Sequence, residues 1–135
     1  MTEDKTKNRS SSQNLRSLGA REEMIAACFL KKHGVVLTEK NFRNGRMGEI
    51  DLIGWDQDVL VFFEVKYRSS YQCGFPEEAI TSKKKRKIRQ AAKYYLSAHH
   101  FPLDQRMRFD VVALMPVKKD TVHVHWIKNA FMDSS

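Results

Sequence analysis

No stretch of this sequence approaches the roughly 20 consecutive apolar residues that a membrane-spanning helix needs, so no span is expected. The first residues are polar and charged, without the apolar centre of a secretory leader, so no leader is expected either. Cysteine is scarce. Cys28 and Cys73 stand far apart and form no C-x-x-C pair. That excludes a disulfide-stapled scaffold and a zinc finger, and it suits reduced thiols in a cytoplasm. No internal repeat or linker is visible. Acidic residues are outnumbered, 16 Asp and Glu against 24 Lys and Arg, giving a net charge of +8. Such a balance on one small chain points to a polyanion as partner, nucleic acid first among them.

The 135 residues suffice for one domain with a real core, and 41% of them are hydrophobic. Residues 1–17, with a serine run and almost nothing to bury, read as a disordered polar tail, and residues 18–132 as a single domain. A helix is expected over residues 19–32, stopped by Gly34, with Cys28 in its apolar run as a core residue. Strands are expected over 35–42, 48–53 and 59–67, the last two forming a hairpin around a polar loop at 54–58. A loop at 69–78 precedes a helix capped by Thr81 or Ser82 and ending near residue 98. Strands at 109–115 and 122–127 complete the order α-β-β-β-α-β-β. This is an α/β domain with a mixed five-stranded sheet flanked by helices.

The chemistry concentrates in the hairpin, GEIDLIGWDQDVLVFFEVKYR. Glu64 ends an apolar run, where a carboxylate is costly unless something compensates it. Strand alternation puts Glu64 and Lys66 on one face, and Glu49 with Asp51 on one face opposite Ile50 and Leu52. Folding the hairpin brings Asp51 across from Glu64. Two close carboxylates repel, and a divalent cation between them relieves the repulsion. Mg²⁺ suits one or two carboxylates plus waters and a phosphate oxygen. A lysine beside such a pair completes the parts for metal-assisted phosphodiester hydrolysis. Spacing alone equally allows a plain ion pair of Lys66 with Glu64 or Asp51.

These segments resemble the active-site hairpin of the PD-(D/E)xK, restriction-endonuclease-like nucleases. More closely, the chain resembles the YraN-like family of bacterial proteins over most of residues 19–131, through GAREEMIAACFLKKHG, NFRNGRMGEIDLI, VFFEVKYRSS, GFPEEAITSKKKRKIRQAAKYYL, RFDVVAL and NAF. The fold implied is restriction-endonuclease-like, similar to archaeal Holliday-junction resolvases. The resemblance implies Asp51 as the first acid, with Ile50 where the superfamily has proline, and Glu64 and Lys66 as the second acid and the lysine. A helix glutamate would complete the site, Glu23 being favoured over Glu22. Mg²⁺ (or Mn²⁺) would be held by Asp51, Glu64 and Glu23. Glu49 would be a supporting acid or a solvated edge residue. Gln90, in a Q-x-x-x-Y element like that of RecB-like members, would support the site from the second helix. Resolvases act as dimers, which makes a homodimer an expectation of the resemblance.

The run KKKRKIR puts six cations, Lys83, Lys84, Lys85, Arg86, Lys87 and Arg89, into seven residues at a helix start. Cations there oppose the helix dipole, and a phosphate backbone would offset the cost. Arg46 and Arg68, with Arg43, flank the hairpin as further phosphate contacts, and Trp55 and Tyr71 are candidates for base stacking or for capping a core edge. Asp110, beside Arg108, reads as half of a structural pair. Two functions follow. One is a metal-dependent endonuclease acting on DNA, with branched or single-stranded forms open. The other is a nucleic-acid-binding protein of the same fold without significant catalysis.

Overall fold

The apolar residues sort into two cores, one on each face of a single sheet. The computed structural model describes residues 11–46, 48–67 and 80–131, with side chains from residue 20 onward. Its elements are α1 (Ser11–Lys32), β1 (Val36–Arg43), β2 (Glu49–Asp56), β3 (Val59–Tyr67), α2 (Ser82–Ala98), β4 (Met107–Lys118) and β5 (Thr121–Phe131). The sheet order is β1-β2-β3-β4-β5. Only β3 and β4 are parallel, because α2 carries the chain between them, and the other neighbours are antiparallel. The α/β class, the mixed five-stranded sheet and the element order match the sequence reading.

α1 lays Ala26 and Leu30 on one face of the sheet, against Leu52, Val61, Phe63, Val112 and Leu114. α2 lays Ile88, Ala91, Ala92 and Tyr95 on the other, against Ile50, Ile53, Leu60, Phe62, Phe109 and Val111. Thr81 caps α2, its hydroxyl accepting from the Lys84 N–H at 3.1 Å.

Several details differ from expectation. α1 begins at Ser11, inside the stretch read as a disordered tail. No proline interrupts it there, and extending a helix already nucleated needs little favourable packing. The β2–β3 loop is only Gln57-Asp58, since β2 continues to Asp56, which pairs with Val59; Gln57 has a φ of 59°. The longer strand takes Trp55 out of the loop and onto the α2-side core, 5.9 Å from the Phe101 ring. Cys28 is exposed rather than buried, because α1 turns only one stripe of its apolar run to the sheet. Arg68, Tyr71 and Cys73 lie outside the described residues.

Asp110 is fully buried and belongs to the frame. Its carboxylate accepts from Arg108 Nε at 3.0 and 3.1 Å, Trp126 Nε1 at 2.9 Å and the Asn129 N–H at 2.8 Å. It thereby satisfies the irregularity where β5 slips between its Val111–Ile127 and Phe109–Phe131 pairs. Arg108 also reaches Asp56 at 2.6 Å, tying β4 to the β2–β3 turn. Replacing Asp110 by Ala strands these buried donors, and urea unfolding is expected to show a loss of about 3–5 kcal/mol. Replacing the exposed partner Asp58, 2.7 Å from Arg106, is expected to change stability by no more than about 0.5 kcal/mol.

Candidate active site

β2 and β3 pair from Asp56–Val59 up to Leu52–Phe63. Past that point residues 49 and 50 still pair with β1, while residues 64–67 pair with β4. The sheet forks. Asp51 and Glu64 are the next residues on the two arms, so continuing the register sets them across from each other. On the β3 arm, the Val65 N–H donates to Asp51 Oδ2 at 2.8 Å. A side-chain oxygen thus replaces the missing strand partner.

Alternation holds on β3. Leu60 and Phe62 pack on the α2 side, Val61 and Phe63 on the α1 side, so Glu64 and Lys66 share the α2 face. It fails on β2. Ile50 joins the α2-side core and Leu52 the α1-side core, which corrects the expectation that both lie opposite Glu49 and Asp51. The neighbouring strand is irregular at the same level: Asn41, between the Lys40–Leu52 and Phe42–Ile50 pairs, has a φ of 55°, a left-handed conformation that asparagine tolerates. Asp51 feels charges from both helices' sides: Lys84 and Glu64 from the α2 side, Glu23 from α1.

Glu64 is 5% exposed. Its Oε2 lies 3.8 Å from Lys84 Nζ, and its Oε1 is buried without a hydrogen-bond partner among the described residues. Burial, then the charge of Asp51, pushes the Glu64 carboxyl up to about 8, against the pull of Lys84 and Lys66. Burial also raises Asp51, while the Val65 N–H and Lys84 act the other way. Two neighbouring acids and one buried oxygen without a partner among the described residues are what a divalent cation would satisfy. The donor set fits Mg²⁺ or Mn²⁺, ions that use one or two carboxylates and take their other ligands from water and phosphate.

Glu23 shares the α1 stripe of Ala26 and Leu30, three and seven residues on, and so faces the sheet. Burial and then the Asp51 charge raise its carboxyl, while Asn41 acts the other way. Glu22 turns aside, lining a separate cavity with Arg21, Ile25 and Tyr67. Among the described residues, however, no three Asp, Glu, His or Cys side chains converge closely enough to hold one ion. Glu23 therefore neighbours the pair without joining it.

The basic run divides. Lys84 goes to Glu64. Lys85 and Arg89 lie over the Phe131 ring at 5.7 and 5.6 Å. Lys83, Arg86 and Lys87 are exposed. Lys84 and Lys87 line a cleft of about 210 Å³ with Arg43, Gly45, Arg46, Gly48 and Glu49. Glu49 sits there as the partner of Arg43, at 3.3 Å. Gly48 makes the cleft possible, since a Cβ at that position would stand 2.5 Å from the Lys87 carbonyl oxygen. Gln90 is exposed on α2, and none of its described contacts links it to the carboxylates.

The sequence reading missed two contributors. Asn41 carried a signal, being a poor strand former inside a strand. Lys84 was placed among the phosphate contacts, because nothing in the linear sequence says which lysine of the run turns inward.

Two outcomes are expected. Gly48→Ala should force α2 away from the fork and cost about 1–3 kcal/mol in urea unfolding. In chelator-treated protein, the raised Glu64 carboxyl binds its proton more tightly folded than unfolded. Its contribution is fully present below pH 4.5 and lost as pH rises through about 8. Glu64→Gln removes that loss. Its stability advantage over wild type should grow between those limits, by up to about 1.4 kcal/mol per pH unit, when thermal unfolding is followed across pH.

Comparison with known proteins places this arrangement in a family. Residues 22–114 match the family model described as "Uncharacterised protein family UPF0102". A UPF0102 protein of Lachnoclostridium phytofermentans is 43% identical over 113 residues, covering 84% of this chain and 91% of the relative. One from Acetivibrio thermocellus is 40% identical over 122 residues, covering 87% and 93%. One from Marinobacter nauticus is 38% identical over 115 residues, covering 85% and 92%. The match takes in Glu23, Asp51, Glu64, Lys66 and the whole basic run, and the chain belongs to the UPF0102 family, the YraN-like family that its motifs resemble.

Proposed function

We propose that this protein is a divalent-metal-dependent nuclease that hydrolyses phosphodiester bonds in DNA. One observation carries the reading: two acids, Asp51 and Glu64, meet in the fork of the sheet, and Glu64 keeps a buried oxygen with no partner among the described residues. Asp51 and Glu64 would hold Mg²⁺ or Mn²⁺, with the Val65 carbonyl and, through water, Glu23 as further ligands. Bound there, the ion supplies a polarised phosphate and a water of lowered pKa. Lys66, on the face of Glu64, stabilises the charge that develops on the phosphate oxygens. The cations of the cleft and the exposed Lys83 and Arg86 at the start of α2 grip the backbone on either side, by contacts that carry little sequence information.

The setting is cytoplasmic. An exposed free thiol such as Cys28 suits a reducing compartment, and no helix among the described residues is long and apolar enough to cross a membrane.

A second reading, a nucleic-acid-binding protein of nuclease-like fold without turnover, is favoured by the failure of Glu23 to join the pair among the described residues. Incubation with branched, single-stranded and duplex DNA and with RNA, in Mg²⁺ and in Mn²⁺, separates the two. Wild type is expected to cleave DNA, and Glu64→Ala and Lys66→Ala to lose at least about 100-fold in rate while still binding it. Equal trace cleavage by wild type and both variants sinks the nuclease reading. Binding without cleavage in all three establishes the second.

A further inference from the structure

Lys84 has two claims on it. It is the first-turn cation of α2 whose ammonium lies 3.8 Å from Glu64 Oε2, yet its side chain is 43% exposed. It also lines the cleft formed with Arg43, Arg46 and Lys87. The other cations of that cleft are held differently. Arg43 is bridged to Glu49, and Lys87 has its backbone against Gly48 and its side chain in solvent. Lys84 alone among them also contacts a carboxylate of the fork.

We infer that the cleft lined by Arg43, Arg46, Lys84 and Lys87 is a phosphodiester-binding subsite, and that it draws Lys84 away from Glu64, so that seating a phosphate and binding a divalent cation at the fork promote each other. This rests on the metal-site reading above. The reasoning is one of charge. Without ligands, the ammonium of Lys84 compensates Glu64 and repels a second cation from it. A phosphate anion in the cleft offers Lys84 a stronger partner in a better-solvated place. Once Lys84 turns to the phosphate, Glu64 loses its nearest cationic partner, and a cation entering the fork meets the acid pair without that repulsion. Running the cycle in the other order gives the same free energy, so the ion must tighten phosphate binding by the same factor. Lys84 is in this sense a positioning residue: it holds the empty site neutral and releases it when substrate is present. The same device keeps the acid pair from collecting cations in the absence of nucleic acid.

The test reads binding rather than turnover. The EPR signal of free Mn²⁺ gives the affinity of the ion alone. Fluorescence anisotropy of a short, labelled phosphorothioate oligonucleotide, with and without Mn²⁺, gives the coupling. Wild type should bind the oligonucleotide about tenfold tighter in saturating Mn²⁺. Lys84→Gln should bind Mn²⁺ alone several-fold tighter than wild type, bind the oligonucleotide more weakly, and lose most of the Mn²⁺-dependent tightening. Lys93→Gln, which removes the same charge from an exposed position farther along α2, should behave as wild type. Normal Mn²⁺ binding by wild type, with Lys84→Gln unchanged in ion affinity or in coupling, overturns the inference and leaves the metal site standing. No Mn²⁺ binding by wild type removes the metal site and the inference together.

Discussion

When β3 passes the end of its pairing with β2, the Val65 N–H loses the strand that would have accepted it. The Asp51 carboxylate takes that place. Much of the site follows from this one bond. It fixes an acid in the gap between two strands rather than on either face of the sheet. An acid in a gap can be approached from above and below, and the structure does approach it so, with Lys84 of α2 on one side and Glu23 of α1 on the other. Buried apolar residues of both cores, Ile50 on one face and Val112 on the other, flank the fork, so the polar groups gather beside a dry interior instead of in open solvent.

The cost of this arrangement is electrostatic. Glu64 is buried beside another acid, and both carboxyls are raised by burial before any partner acts on them. Two features limit the damage: Lys84 reaches in from α2, and Lys66 stands on the same strand face. Neither of them satisfies Glu64 Oε1. A core built only for stability would place an apolar side chain at this position, as the runs on either side of it do. Elsewhere the protein can bury an acid completely: Asp110, with every donor in place, stands in the same sheet as a contrast.

Much of this was legible in the sequence because it depended on period and on local chemistry. The apolar runs of β3 and β4, the capping Thr81 and the spacing of Ile88, Ala91, Ala92 and Tyr95 gave the elements and their order. The common face of Glu64 and Lys66 follows from a two-residue repeat that nothing interrupts. The geometry of Asp51 was beyond the same rule, because alternation assumes regular backbone throughout, and β2 departs from it between Ile50 and Leu52. The hairpin turn was placed too wide because Trp55 and Asp56, polar-looking in sequence, belong to the strand and serve the core edge and the Arg108 network. Cys28 and Met24 were hidden in an apolar run too continuous to show a face. The inward turn of Lys84 depends on how closely α2 can approach Gly48, a tertiary contact with no trace in the spacing of the lysines.

Phe131 stacks on Phe109 at 5.0 Å and lies under Lys85 and Arg89. Two of the six cations in the basic run are thereby committed to an aromatic ring at the end of β5, where their stems also shield apolar surface. The run therefore overstates its own charge as seen by a polyanion. Each phosphate neutralised releases about 0.9 of a condensed counterion from duplex DNA, and cations held on a ring release none. The salt sensitivity of binding would then report the cations that remain turned outward, making the ionic-strength slope a measure of how the α2 surface is partitioned between holding the fold together and holding nucleic acid.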